Sequence, residues 1–462
     1  ELTAPLCLVV CAGGNNGGDG FVVARVLSER GYAVELVSMA PQEAFKGDAR
    51  IHMEAFLRLG GTLEHLGDPE SLAALESRLS TATLVVDALF GTGLDRPIEG
   101  LYAELIERIN ASDAAVLAVD IPSGLRANDG AVLGAAVQAD ATVTMAFAKI
   151  ALVSAPGFSR CGEVEVAEIG IPSALAWDVA RVGLTEPSDL AWLRAEEDAN
   201  GHKGSRGHVL VVAGAPGTYG AGRLSGRAAL RGGAGLVTVA AEEPDRGLAD
   251  PLMSAALGDS SALPALLEGK RCVVMGPGMA SGDAGAALVH AALAHARCPL
   301  VLDADGLNHL GQDLEQLHAA KGPVVLTPHP GEAGRLLGVS AAQVQSDRIE
   351  SVRALAQRSR CIVVLKGART LICDGGNDDG FVVINSSGSI DLATAGSGDV
   401  LAGLTGALLS RFDRPLDAVV AAVYLHGHLG AQARASAGGP GVTASDLVEE
   451  IPSLRARFEE RV

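Results

Sequence analysis

"LVVCAGGNNGGDGFVVARVL", residues 8–27, sets two apolar runs on either side of nine residues, 12–20, that hold five glycines, two asparagines and one aspartate. The left run, residues 6–11, has the length of a buried strand, and Phe21, Val22, Val23, Val26 and Leu27 recur at helical spacing after the glycines. The stretch therefore reads as strand, loop and helix. Gly13, Gly14, Gly17, Gly18 and Gly20 leave the backbone uncovered, so amide N–H groups can approach an anion where the helix starts. Neither common glycine fingerprint fits. No frame from Gly13 to Gly20 places glycines at the first, third and sixth positions, and Asp19 stands where a phosphate-binding loop needs lysine.

Outward from this unit, β-rich apolar runs at 34–39, 84–90, 115–121 and 142–146 alternate with helical patterns at 44–59 and 98–109. That alternation predicts an α/β fold with a doubly wound, Rossmann-like parallel sheet. Three loops after strands stand out: "NNGGDG", "FGTGLDRP" at 90–97 and "DIPSG" at 120–124. Ligands of such sheets lie beyond the carboxyl ends of the strands, where all three loops could meet. A second α/β unit follows, with strand runs at 208–214, 236–241, 272–277, 300–306, 324–329, 361–367, 370–374 and 381–386, then "ATAGSGDVLAGLTGALLS" and a long helix. The expected division is a first domain at 1–172, a linker at 173–190 and a second domain at 191–462.

Composition narrows the function. A chain of 462 residues, 48% hydrophobic, is long enough for two cores. No apolar run reaches 18 residues and no leader pattern is visible, so a cytoplasmic protein without a membrane partner is expected. Seven cysteines without a CxxC pair argue against a disulfide framework or zinc site. A net charge of −19 and 3% aromatic residues disfavour nucleic acid. Phosphate ligands would then have to be held by local amide nests.

"NNGGDGFVVAR", "GTGLDRP" and "DIPSG" resemble the epimerase domain of the NAD(P)HX repair enzymes. "HKGSRGHVLVVAG", "MGPGM", "LDADGLN", "LTPHPGE", "VLKGART" and "GSGDVLAG" are similar to the NAD(P)HX dehydratase domain, whose fold is ribokinase-like. The resemblance implies a bifunctional enzyme acting on NADHX and NADPHX. The first domain would interconvert the R and S hydrates, and the second would dehydrate the S form using ADP or ATP. Two departures stand out: the first strand begins at residue 6 without the family's preceding helical segment, so an N-terminal piece is expected to be missing, and Ser397 replaces the threonine of the family's Gly-Thr-Gly-Asp.

The resemblance also implies site residues. Asn15, Asn16, Gly17, Gly18 and Asp19, with Gly91, Thr92, Gly93, Leu94, Asp95, Arg96 and Pro97, would line the hydrate in the first domain. Asn16, Asp87 and Ser123 would hold a potassium ion, a hard cation suited to oxygen ligands. In the second domain Ala221, Gly278, His329 and Asp399 would contact the hydrate. Lys366, Gly367, Ala368, Arg369, Thr370 and Gly398 would contact the nucleotide, which brings a magnesium ion. A homo-oligomer is expected.

Chemistry selects two carboxylates. Inverting a carbon that bears a hydroxyl and a ring nitrogen requires that the stereocentre be lost for a time, and one carboxyl group can protonate the departing hydroxyl and then help water return. Asp120, at a strand end beside Pro122-Ser123-Gly124, is the expected group; Lys149 is a weaker candidate, since a lone lysine after a strand is usually solvated. Asp399, behind Gly396-Ser397-Gly398, is expected to accept a hydroxyl proton in phosphoryl transfer, with a helix cap as its alternative role. His426 and His428 read as structural. Two further readings stay open: a small-molecule kinase of the ribokinase-like superfamily, and a first domain that is only a ligand- or partner-binding module.

Overall fold

The computed structural model describes residues 6–177, 179–194, 200–245, 247, 251–279, 282–377 and 379–460. The chain forms two compact units, Glu1–Val179 and Ala180–Val462.

The first unit holds seven strands: β1 (Leu6–Cys11), β2 (Ala33–Ser38), β3 (Leu63–His65), β4 (Ala82–Ala88), β5 (Ala115–Val119), β6 (Ala141–Met145) and β7 (Glu163–Ala167). They pair in the order β3-β2-β1-β4-β5-β6-β7, all parallel. Leu8, Val9, Val10 and Cys11 are fully buried because helices cover both faces of the sheet. The expected doubly wound sheet is present, with two more strands, β3 and β7, whose short or charge-interrupted sequences carry little apolar signal.

The glycine-rich stretch differs from its reading as a loop. The helix Asn15–Glu29 starts inside it, leaving only residues 12–14 as connection. Three of its glycines are packing residues: a Cβ on Gly17 would overlap the Ala12 carbonyl oxygen, one on Gly18 would lie 2.9 Å from the Ala49 Cα, and one on Gly20 would lie 2.5 Å from the Cys11 sulfur. They let the helix settle directly on β1 and on the helix Gly47–Arg58. The helical pattern read over 44–59 is likewise broken, into a single turn at Gln42–Ala44 and that helix.

The second unit holds β8 (Val182–Leu184), β9 (His208–Val212), β10 (Leu236–Ala241), β11 (Met253–Ala256), β12 (Cys272–Met275), β13 (Leu300–Leu302), β14 (Val324–Leu326), β15 (Ile362–Leu365), β16 (Leu371–Asp374) and β17 (Val382–Ile384). The order is β11-β10-β9-β12-β13-β14-β15-β16-β17-β8, parallel through β15, with β16 antiparallel to both its neighbours. β8, within the stretch read as linker, pairs with β17 and so belongs to this sheet. The run read as a strand at 300–306 stops at Leu302: Ala304 has φ 46° and Asp305–Asn308 is a helical turn. The helices Ser397–Arg411 and Pro415–Ala437 fill the main core of this unit. All seven cysteines are free, six of them buried. Among the described residues no helix is long and apolar enough to cross a membrane.

Candidate active sites

In the first sheet the strand order reverses at β1, whose neighbours are β2 and β4. The crevice beyond the carboxyl ends at such a point is the expected ligand site. Asp87 of β4 is fully buried there; its Oδ1 accepts from the Ser123 hydroxyl at 2.6 Å and its Oδ2 from the Ser123 amide at 2.8 Å. Burial outweighs these bonds and pushes the Asp87 carboxyl up to about 6. The Ser123 hydroxyl in turn accepts from the Phe90 amide at 2.9 Å, tying the β4 and β5 loops together.

Asn16 completes this corner. A Cβ on Gly91 would lie 3.5 Å from the Asn16 Cγ, so the loop after β4 packs against the amide at ordinary contact distance. Asn16 is buried, and neither its oxygen nor its nitrogen has a hydrogen-bond partner among the described residues. An unmet buried polar group costs about 1–3 kcal/mol, so this amide is available to a group bound in the crevice. An all-oxygen set of Asn16 Oδ1, Asp87 and Ser123 Oγ fits a hard cation such as potassium. No cluster of three or more His, Cys, Asp or Glu suited to a metal occurs among the described residues.

Asp120 follows β5 with φ 69°, a conformation rare outside glycine. Lys149 Nζ lies 2.5 Å from its Oδ1, so the lysine expected to be solvated is instead paired inside the site. Asp19 is pushed up first by burial and then by the charge of Asp120, with His52 opposing, which places Asp19 and Asp120 on the same crevice. Asn15 is exposed at the helix start, and the Thr92–Pro97 stretch is an exposed loop apart from Leu94, which packs on the core. Sequence reasoning missed Thr144, whose hydroxyl donates to Asp120 Oδ1 at 3.1 Å.

The second site gathers at the carboxyl ends of β12 to β15. Asp399 lies in the first turn of the helix Ser397–Arg411, whose N-cap is Gly396 with φ 88°; no side chain caps this helix, so Asp399 is not its cap. Burial, then the charge of Asp303, pushes the Asp399 carboxyl up to about 6, against the pull of Lys366. Lys366 Nζ lies 2.6 Å from Asp303 Oδ1 and 3.9 Å from Glu332 Oε2. Burial works against the lysine charge, but Asp303, Glu332 and Asp399 outweigh it and hold the ammonium above the usual lysine range. A Cβ on Gly398 would lie 3.5 Å from Lys366 Nζ, so the glycine turn faces this cluster.

The other expected residues lie on neighbouring turns and make their own contacts. His329 caps the helix Pro330–Leu337, its Nδ1 accepting from the Gly331 and Glu332 amides at 3.0 and 3.3 Å while Glu332 Oε2 accepts from the His329 amide at 2.8 Å. Thr218 links Ala221 and Gly278: the Ala221 amide donates to its carbonyl at 3.2 Å, and its hydroxyl donates to the Gly278 carbonyl at 2.7 Å. Ser225, one turn beyond Ala221, donates to the Asp399 carbonyl at 2.8 Å. Gly367 and Ala368 are exposed, Arg369 has φ 55°, and the Thr370 hydroxyl donates to the Gly367 carbonyl at 3.0 Å. His426, which burial pushes down to about 4, bonds the Ser397 carbonyl at 3.0 Å and holds the glycine turn. Asp303 and Glu332 lie in quoted motifs, "LDADGLN" and "LTPHPGE", but had no assigned role; the available signal was an acidic residue at the end of an apolar run for Asp303 and one following Pro330-Gly331 for Glu332. A separate cavity of about 650 Å³, lined by His428, Gln432, Glu450 and Arg457 among others, contains none of these residues.

Residues 209–453 match a family described as NAD(P)H-hydrate dehydratase, and residues 2–151 match one described as YjeF-related protein N-terminus. The bifunctional NAD(P)H-hydrate repair enzyme Nnr of Moorella thermoacetica is 41% identical over 98% of this chain and 88% of its own length. The chain belongs to the bifunctional NAD(P)H-hydrate repair enzyme family. Its Escherichia coli relative of the same name is 36% identical over 97% of this chain and 84% of its own. Among solved structures, the ADP/ATP-dependent NAD(P)H-hydrate dehydratase from Bacillus subtilis, co-crystallized with ATP/Mg2+, is 30% identical with a TM-score of 0.52, covering 61% of this chain and 100% of that one. A ribokinase-like superfamily protein from Enterococcus faecalis, 22% identical with a TM-score of 0.53, covers 61% of this chain and 97% of its own, so the family's dehydratase part has the ribokinase-like fold here.

Proposed function

We propose that this chain repairs hydrated NADH and NADPH: the first unit interconverts the R and S hydrates, and the second dehydrates the S form with ADP or ATP. One observation carries this reading: each unit sets a partly buried aspartate, Asp120 or Asp399, against a lysine ammonium at its strand ends, in a chain that aligns almost end to end with Nnr.

In the first unit Asp120 is the proton carrier. Protonated on Oδ2, it gives that proton to the departing hydroxyl, the C–O bond breaks, water leaves, and the ring nitrogen's lone pair stabilises the cation; water then adds to the opposite face and returns a proton to Oδ2. Asn15 to Asp19 and Gly91 to Pro97 hold the hydrate. Asn16, Asp87 and Ser123 would hold potassium, which when bound supplies fixed positive charge beside the substrate's phosphate and ribose region.

In the second unit Asp399 takes the proton from the substrate hydroxyl as that oxygen bonds to the terminal phosphorus, and AMP or ADP leaves. Phosphate is then expelled with its C–O bond pair, and loss of a proton from the neighbouring carbon restores the dihydropyridine. Ala221, Gly278 and His329 hold the hydrate, while Gly398 and Lys366 to Thr370 hold the nucleotide. Magnesium would arrive with the nucleotide and neutralise its phosphates; Asp303, whose Oδ2 makes no hydrogen bond among the described residues, is the carboxylate that would meet it.

The test is incubation of the full chain with S-NADHX or R-NADHX and either ADP or ATP, following dihydronicotinamide absorbance. Absorbance should return with both hydrates when a nucleotide is present. A phosphate ester that accumulates without absorbance would instead identify a simple kinase.

A further inference from the structure

Two turns of one uncommon kind end neighbouring strands of the first sheet. At Asp120, φ is 69° and the Ile121 amide donates to the Val119 carbonyl at 2.9 Å; at Ala146, φ is 65° and the Phe147 amide donates to the Met145 carbonyl at 2.8 Å. A bond from residue i+2 to residue i around a positive φ is the strained form of the γ-turn. Neither residue is glycine, which would adopt it freely. The Asp120 amide donates to the Val143 carbonyl at 2.8 Å, so the two turns lie at adjacent strand ends.

Together they bring about one contact. Lys149 Nζ donates to Asp120 Oδ1 at 2.5 Å, to Thr144 Oγ1 at 2.8 Å and to the Met145 carbonyl at 2.9 Å. An ammonium has three protons, and all three are used. The Thr144 hydroxyl donates a hydrogen bond to the same Asp120 oxygen, while Asp120 Oδ2 makes no hydrogen bond among the described residues. Backbone strain persists only where surrounding structure over-determines it, and it concentrates at functional sites.

We propose that Lys149 is the positioning residue of the interconversion centre: with Thr144 it fixes Oδ1 of Asp120, so that Oδ2 alone is presented to the substrate and the carboxylate cannot turn away. This rests on the reading of Asp120 as the proton carrier. A carboxylate held in place faces the cationic ring as it forms, without reorganising at that moment.

The experiment uses the full chain at saturating potassium, with Lys149→Met, Lys149→Ala and Asp120→Asn compared in R-to-S interconversion and in dehydration of the S form. Lys149→Met is expected to lower kcat for interconversion about 10²-fold, the scale of an ångström-sized misplacement, with KM little changed and dehydration intact. Added methylammonium should restore Lys149→Ala in a saturable way, tetramethylammonium should not, and Asp120→Asn should respond to neither. A wild-type kcat in Lys149→Met, or a Lys149→Ala loss that methylammonium does not restore, overturns the positioning role. A fully active Asp120→Asn overturns the proton-carrier reading instead, whatever the lysine variants do.

Discussion

The two glycine-rich helix starts, "NNGGDG" in the first unit and "GSGD" in the second, look alike as strings and are used in opposite ways. In the first, Gly17, Gly18 and Gly20 are turned toward strand and neighbouring helix, and the feature left unpartnered is a side chain, the amide of Asn16. In the second, Gly396 adopts the left-handed conformation that starts the helix, and Gly398 faces the Lys366 and Asp303 cluster. A glycine tolerates both a close contact and an open approach because it lacks Cβ, so the string cannot say which is needed.

That difference predicts opposite responses to the same substitution. Gly17→Ala drives a methyl into the Ala12 carbonyl and should cost the first unit about 3 kcal/mol, the upper end of overpacking, with interconversion lost and dehydration kept. Gly398→Ala meets only ordinary contact distances, so calorimetry should find its unfolding temperature unchanged while nucleotide binding weakens. Equal thermal losses in the two variants would erase the distinction.

Asp399→Asn keeps the glycine turn but removes the proton acceptor, and turnover of S-NADHX should fall ~10²–10⁴-fold. Because the fold disfavours the ionised carboxylate, a cost that builds from the ordinary carboxylate range up to about pH 6 and is complete above it, the amide should leave the unfolding temperature at neutral pH unchanged or higher. A parallel fall in turnover and unfolding temperature would make the residue structural.

Asp399 must be ionised to act as a base, and its carboxyl titrates near 6. Dehydration by the unsubstituted chain should therefore fall about tenfold per pH unit below that point and level off above it, read from initial rates at saturating nucleotide. A rate that rises on acidification would assign Asp399 the opposite protonation state.

The smallest effect is expected from potassium. Replacing it with tetramethylammonium should weaken hydrate binding to the first unit several-fold and leave nucleotide binding unchanged, as measured by calorimetric titration. Unchanged hydrate affinity would remove Asn16, Asp87 and Ser123 from any cation site.

Much was legible in the sequence, because strands buried on both faces read as unbroken apolar runs: β1, β4, β9 and β12 lie where such runs occur. Strands that carry little apolar signal were not: β7 alternates glutamate with valine, and β8 is three residues whose place depends on pairing with β17. Asp120 and Asp399 were legible as carboxylates, Asp120 at the end of an apolar run two residues before Pro122 and Asp399 directly after Gly396-Ser397-Gly398. Their partners were not. Lys149 lies 29 residues from Asp120 and Asp303 lies 63 from Lys366, and only the pairing of β5 with β6 and the row of strands from β13 to β15 brings them together. The sequence by itself determined the chemical types at each strand end and the order of the strands along the chain, because these depend on neighbours within a few residues. The tertiary structure alone decided which glycines carry packing and which face the Lys366 and Asp303 cluster, that the Asn16 amide is buried without a partner among the described residues, and that burial and Asp303 push Asp399 toward neutrality, because close contact and desolvation arise only when distant segments meet.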